Sequence, residues 1–312
     1  MKIEEIETPA LLIDLDLMES NLRTMREWLA GKNVKLRAHF KTPKTPIIAW
    51  KEIEYGAIGV CAQKLGEAEV LVQAGIKDIL ITNQIVDPAK IERMIDLQKH
   101  SKIQVIVDNP TNAQCLSETA LRKNAKLGVF VEVDVGGRRC GVPPGKAAVE
   151  LVSGISTMRG IEFKGLQCYA GYLQMGEHRI GYEKKMEELK KVGERVDMTR
   201  DAIEDAGFNV ETVTGAGTGT HRHEYQHYDE IQPGSYALMD ATYKPCAPWF
   251  EIALTILATV TSTPEPNRVV LDSGAKSVST DYGPPSVKGL QNAKCTVPSD
   301  EHGMIHFNAS EH

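Results

Sequence analysis

Residues 78–98 read DILITNQIVDPAKIERMIDLQ. Asp78 to Thr82 form a short apolar run of the length and composition of one buried strand, and residues 88–98 carry apolar side chains at the three- and four-residue spacing of a helix face. The same unit recurs on both sides. Strands are expected at 34–40, 57–61, 78–82, 103–107, 127–133, 163–169, 210–214 and 235–238, which makes eight. Helices are expected at 17–29, 64–74, 88–98, 111–121, 145–156 and 182–206. Eight strands alternating with helices between Leu12 and Asp240 predict an α/β fold, a (β/α)8 TIM barrel over residues 15–240. A doubly wound open sheet would place a GxGxxG turn after its first strand. Here AHFKTPKTP (38–46) follows instead.

After Asp240 the pattern changes. Residues 250–263 read as one long strand region and 267–272 as another, with Pro264, Pro266, Pro284, Pro285 and Pro298 marking turns. This predicts a C-terminal β-rich domain over 241–312, joined by an opening strand at 10–14 from residues 1–14.

Composition narrows the function classes. The 312 residues carry a formal net charge of −6 with no run of Lys and Arg, which argues against nucleic acid or an anionic membrane as partner. No apolar stretch reaches the roughly 18 residues of a membrane span. The N-terminus, MKIEEIETPALLIDLD, is acidic and lacks the apolar core of a signal peptide. The six cysteines show no CxxC pairing, and a reducing cytoplasm is expected.

In a TIM barrel the chemistry belongs to the loops at the C-terminal strand ends. Lys41 follows the first expected strand, Gln63 the second, and Thr82 and Asn83 close the third. Arg138 and Arg139 follow the fifth and Tyr169 ends the sixth. Gly215-Ala216-Gly217-Thr218-Gly219-Thr220 follows the seventh, and Gly234, Ser235 and Tyr236 open the eighth. Glycines let backbone N–H groups approach an anion, and Thr218 and Thr220 add hydroxyl donors. Barrels commonly hold phosphate after strands seven and eight, so this run is read as a phosphate loop; the alternative is a flexible connection. A Lys at the end of an apolar strand is costly to bury as a cation, and its lowered pKa makes it a Schiff-base nucleophile. Lys44 is the alternative lysine, and Pro43 between the two favours a rigid turn. Arg139 can pair with an anionic oxygen on a cofactor or, across its loop, with Asp134. Tyr169 can hydrogen-bond a ring nitrogen or pack as a strand-end aromatic. His221 and His223 have a spacing that ligands can show, as does the cluster of Glu301, His302, His306, Glu311 and His312, but neither matches a strong metal motif.

At these residues the sequence resembles the D-threonine aldolase and 3-hydroxy-D-aspartate aldolase family, relatives of D-serine dehydratase within the alanine racemase-like fold of pyridoxal 5′-phosphate (PLP) enzymes. The resemblance runs through ETPALLIDLD (7–16), RAHFKTPKTP (37–46), GVCAQKLGEAE (59–69), ITNQIV (81–86) and EVDVGGRRCGV (132–142). It continues through GLQCYAGYLQ (165–174), GAGTGT (215–220), EIQPGSYALMD (230–240) and LDSGAKSVSTDYGPP (271–285). It implies that Lys41 carries PLP as a Schiff base and that Tyr169 lies near the pyridine nitrogen. It implies that Gly217, Thr218, Gly234, Ser235 and Tyr236 cradle the phosphate, and that Gln63 and Arg139 flank the cofactor, with Lys41, Tyr169 and Arg139 as the catalytic set. The implied reaction is retro-aldol cleavage of a β-hydroxy-D-amino acid, of D-threonine or 3-hydroxy-D-aspartate type, to glycine and an aldehyde. A homodimer is implied as well, and a divalent metal such as Mn or Mg that lowers the pKa of the substrate β-hydroxyl.

Two departures stand out. Where family members carry a His assigned as base, this sequence has Met175, with His178 three residues on. The family's His-x-Asp metal pair, His-x-Cys in the dehydratases, is not found before His312, so the C-terminal domain is expected to be incomplete and the metal ligands are unassigned. Two alternatives follow: a D-serine or 3-hydroxyaspartate dehydratase, and a PLP-binding protein without catalysis.

Overall fold

The structure is a computed structural model that describes residues 2–290 and 292–307. Eight parallel strands close into a barrel: β2 (Lys35–His39), β3 (Gly59–Ala62), β4 (Asp78–Ile81), β5 (Lys102–Val107), β6 (Leu127–Glu132), β7 (Ile161–Cys168), β8 (Thr212–Gly215) and β9 (Glu230–Ile231). The strand before them, β1, spans Ala10–Ile13. Helices run between the strands: α1 (Leu15–Leu29), α2 (Pro46–Glu54), α3 (Leu65–Gln73), α4 (Pro88–Asp96), α5 (Pro110–Arg122), α6 (Lys146–Ser156), α7 (Gly176–Ile180), α8 (Tyr182–Asp205) and α9 (His221–Glu224).

The barrel strands are nearly continuous apolar runs because both faces are covered. Ile79, Leu80 and Ile81 in β4 are fully buried, as are Val105 and Val107 in β5. Cys61, Leu80, Ile106 and Phe130 form one buried cluster from four neighbouring strands. The helix starts have local causes. Asp87 caps α4 by accepting from Lys90 N, Asn109 caps α5 by accepting from Thr111 N and Asn112 N, and Pro88 and Pro110 supply the pre-set φ of a first helical turn.

The eighth barrel strand differs from expectation. It is Glu230–Ile231, and Ser235–Leu238 forms a turn beyond it. This strand is too short to show an apolar run, and charge helps fix it. Buried Arg37 on β2 donates to both Glu230 carboxylate oxygens, at 2.7 and 3.0 Å, and to Asp78 at 2.6 Å. Backbone pairing of β9 with both β2 and β8 closes the barrel around that ion pair. Helix α2 was also not expected, because TPKTP hides its start, but Pro46 sits in its first turn.

The chain divides into two compact units, residues 22–236 and residues 1–21 with 237–312. In the second unit β1 pairs antiparallel with β10 (Leu254–Leu257), as expected for the opening strand. The region expected as one long strand is two, β10 and β11 (Val260–Glu265). They belong to different sheets, since β11 joins β12 (Arg268–Leu271), β14 (Gly303–His306) and β13 (Lys294–Thr296) in a four-stranded antiparallel sheet. Among the described residues no helix is long and apolar enough to cross a membrane.

Candidate active site

Four of the expected residues gather at the C-terminal ends of the strands. Lys41 leaves β2, and its Nζ lies 5.4 Å from the centroid of the Tyr169 ring at the end of β7. The Arg139 guanidinium lies 5.5 Å from the same centroid. Two cations thus stand close to one aromatic ring, an arrangement that favours an anion nearby. Lys41 keeps a solvent-open side, yet its amine pKa is lowered, first by the burial of its surroundings and then by the charge of Arg139. Gln63 stands at the next strand end. It donates through Nε2 to the Thr82 carbonyl at 3.1 Å, and its backbone N–H donates to Glu67 at 2.7 Å.

His39, two residues before Lys41, faces the barrel interior. Its Nδ1 accepts from Lys41 N at 3.3 Å, so the proton of the neutral ring belongs on Nε2, 3.2 Å from Thr82 Oγ1. Burial, followed by the charge of Lys41, holds its pKa down to about 3, so the ring is neutral at ordinary pH.

The glycine loop after β8 is built tightly. Gln174 fastens it, accepting from Gly219 N at 3.1 Å through Oε1 and donating to Thr220 Oγ1 at 2.9 Å through Nε2. A Cβ on Gly217 would stand 2.4 Å from Gln174 Oε1, and one on Gly219 would stand 1.9 Å from the Gln174 carbonyl oxygen, so both glycines are required by this close approach. The Gly217 carbonyl accepts from Thr220 N and His221 N at 3.1 and 2.9 Å. His221 Nδ1 faces two carbonyls, Gly217 at 3.2 Å and Thr218 at 3.0 Å, and therefore carries the proton. The Thr218 hydroxyl, by contrast, is buried and has no hydrogen-bond partner among the described residues. A buried orphan hydroxyl is costly, and an anionic oxygen at the loop would satisfy it. This fits a phosphate group.

A family model for the alanine racemase N-terminal domain matches residues 13–242, and one for a serine dehydratase domain matches residues 253–312. The chain belongs to the alanine racemase N-terminal domain family. Among curated relatives, D-threonine aldolase of Arthrobacter sp is 38% identical over 97% of this chain and 81% of that protein. The 3-hydroxy-D-aspartate aldolase of Paracoccus denitrificans (strain Pd 1222) is 38% identical over 98% and 81%. The crystal structure of D-threonine aldolase from Filomicrobium marinum superposes with a TM-score of 0.94 at 39% identity, covering 98% of this chain and 83% of that one.

In this alanine racemase-family barrel the Gly-Ser-Tyr segment follows the eighth strand instead of opening it, on the barrel end where phosphate is commonly held. Ser235 Oγ lies 3.3 Å from Thr42 Oγ1, which ties this segment to the Lys41 turn. Gly234 packs on His39, where a Cβ would meet the His39 carbonyl oxygen at 2.4 Å. The Tyr236 side chain is buried and faces the buried Glu52 carboxyl, so the group it can offer an anion is its backbone N–H. Burial pushes the Glu52 pKa up to about 8. Arg139 pairs with Glu132 at 3.5 Å and not with Asp134, which instead accepts from the Gly136 and Arg138 N–H groups in its own loop. Lys44, the alternative lysine, is largely exposed and pairs with Glu67 at 3.2 Å. His178 is exposed on α7.

The sequence reading missed Glu132, Gln84, Gln174 and Lys185. Glu132 had a usable signal, an acidic residue ending an otherwise apolar strand. Among the described residues one group of potential metal ligands comes together, Asp108, Glu132 and Cys140. Three of its four carboxylate oxygens already have partners. Gln84 Nε2 donates to both carboxylates, Gly141 N donates to Asp108 Oδ2 at 3.0 Å, and Arg139 donates to Glu132. That set is a hydrogen-bonded carboxylate cluster that could hold a metal ion only by giving up part of this bonding. Burial raises the Glu132 pKa, with the Asp108 charge adding to it. His221 packs edge-on against Trp28 and His223 against Tyr182, and neither joins a ligand group. Glu301 pairs with Lys276, and Glu311 and His312 lie outside the described residues.

Proposed function

We propose that the chain binds PLP through Lys41 and cleaves a β-hydroxy-D-amino acid, of D-threonine or 3-hydroxy-D-aspartate type, to glycine and an aldehyde. The observation that carries this reading is a pairing on one barrel end. An amine of lowered pKa stands over Tyr169, and a glycine loop holds a buried hydroxyl without a partner. The aldolase relatives support the reaction type.

Lys41 would hold the cofactor covalently, and Thr218, Ser235 and the backbone of Gly234 and Tyr236 would hold its phosphate. Bound there, PLP would supply a conjugated ring that accepts the electron pair left at Cα when the Cα–Cβ bond breaks. With PLP bound, the Tyr169 phenol would offer the ring nitrogen a neutral hydrogen bond in place of a carboxylate, which would limit protonation of that nitrogen and moderate the ring as an electron sink. The Arg139 guanidinium, near the Tyr169 ring, would supply positive charge for an anionic substrate and suppresses protonation of Lys41. Among the described residues the candidate ligand group is Asp108, Glu132 and Cys140, and no step is assigned to a metal there.

The test is direct. Purified protein is incubated with PLP and reduced with borohydride, and mass spectrometry should find a pyridoxyl mark on Lys41. D-threonine and D-threo-3-hydroxyaspartate, with and without added Mn or Mg, should then release glycine and an aldehyde. Release of keto acid and ammonia instead would establish the dehydratase reading. A pyridoxyl mark without turnover of either kind would leave a PLP-binding protein. A cytoplasmic homodimer belongs to the same proposal, supported by six free cysteines and by the family resemblance, and sedimentation of the purified protein checks the dimer.

A further inference from the structure

Lys185 is completely buried, in the first turn of the 24-residue helix α8. A cation there is doubly unfavourable. It loses its hydration, and it opposes the positive end of the helix dipole. Methionine would fill much of the same space without either cost. The ammonium instead makes two specific contacts, donating to the Gly219 carbonyl at 2.8 Å and to Glu177 Oε1 on α7 at 3.1 Å. Gly219 is in the loop that holds the partnerless Thr218 hydroxyl.

The loop's carbonyls give the contact its meaning. A carbonyl turned toward a phosphate would repel it, so a loop that binds phosphate through N–H and O–H groups must hold its carbonyls elsewhere. The Gly217 carbonyl is engaged by Thr220 N and His221 N, and the Thr218 carbonyl by His221 Nδ1. The Gly219 carbonyl is engaged by Lys185, the one partner of the three that carries a full charge. We infer that Lys185 is a positioning residue for the cofactor phosphate: it holds the Gly219 carbonyl back and sets a positive charge one peptide behind the anion, with Glu177 as a counter-charge that limits its effect. This inference rests on the reading of the pocket as a PLP site.

The experiment compares PLP with pyridoxal, which has the same aldehyde and no phosphate. Apo-protein is titrated with each, and binding is read from the borohydride-fixed mark on Lys41. In Lys185→Met, PLP affinity should fall roughly tenfold, the scale of one charge-assisted interaction, while pyridoxal affinity stays within about twofold. Glu177→Gln removes the counter-charge from a side chain that is partly exposed and safe to change, and should raise the preference for PLP over pyridoxal. Should Lys185→Met fail to fold, the Glu177→Gln preference decides alone. Equal losses for both aldehydes in Lys185→Met, or no rise in preference in Glu177→Gln, would overturn the inference. A wild-type protein marked by neither aldehyde would remove the PLP reading itself, which separates the two failures.

Discussion

The two ends of the pocket are built differently. At the end of β2, Lys41 is open to solvent and its amine lies 5.4 Å from the Tyr169 ring centroid, with Arg139 5.5 Å from the same centroid and no short hydrogen bond fixing the amine among the described residues. After β8, Gly217, Thr218, Gly219 and Thr220 are all buried, and Gln174, His221 and Lys185 hold them through contacts of 2.8 to 3.2 Å. The contrast fits the division of labour proposed for the two ends. A nucleophilic amine has to exchange partners during turnover, so it needs room and a pKa near working pH. A phosphate anchor has only to stay in place, so rigidity there carries no penalty in rate.

If that division is right, substitutions at the two ends should fail in different ways. Lys41→Ala should have the largest effect on chemistry, lowering glycine release by about 10³-fold or more while leaving the thermal midpoint nearly unchanged. Retention of activity within tenfold, an arbitrary threshold on the scale of a lost secondary contact, would mean another amine is used. Gly219→Ala should do the reverse. Its Cβ would stand 1.9 Å from a backbone oxygen, so the loop must shift, and stability should fall by about 2–4 kcal/mol in chemical denaturation. The same change at Gly137, on the Arg139 side, meets nothing closer than 3.6 Å and should cost less than about 0.5 kcal/mol. Equal costs at the two glycines would erase the contrast.

Behind the phosphate end, Glu52 gives a pH-dependent version of the comparison. Burial raises its pKa from 4.5 to about 8 in the folded protein. The native state therefore keeps a proton that the unfolded chain has released. Stability from this carboxyl is fully present below pH 4.5, declines as pH rises, and is lost above about pH 8. Glu52→Gln mimics the protonated form and should flatten this decline. Relative to wild type, the variant should gain on the order of 5 kcal/mol between acidic and alkaline pH, measured by denaturant titration at each pH. A pH-independent difference would show that the carboxyl has the same pKa in the folded and unfolded states.

The two ends also differed in how far they could be read from sequence. Lys41, Tyr169 and Arg139 stand at strand ends, and strand ends follow from apolar runs whose side chains fill the barrel, so the residues just past them could be named in advance. The eighth strand could not, because Glu230–Ile231 has no apolar run and is held by Arg37, a partner 193 positions away in the chain. Lys185 was equally hidden. In the sequence it is one of two adjacent lysines in YEKKMEELKK, a charged helix surface by composition, and only the packing of α8 buries one of them. Gln174 is unremarkable in sequence for the same reason: its value lies in a loop 45 residues later. Long-range polar contacts leave no periodic trace, whereas apolar burial does.

The finest test concerns how the two cations at the open end influence each other. Burial is the first cause of the lowered Lys41 pKa and Arg139 is the second. Only the second can be removed without rebuilding the pocket. Arg139→Gln keeps a polar side chain on the Tyr169 ring but deletes the charge. Lys41 should then hold its proton more firmly, and because only the neutral amine attacks an aldehyde, the pH midpoint for covalent capture of pyridoxal should move upward. Pyridoxal is the right probe, since it avoids the phosphate loop and isolates the amine. The rate well above the midpoint should be nearly unchanged, because the amine's surroundings are otherwise intact. A downward shift would mean that Arg139 acts on Lys41 chiefly by keeping the Glu132 carboxylate ionised, and not through its own charge.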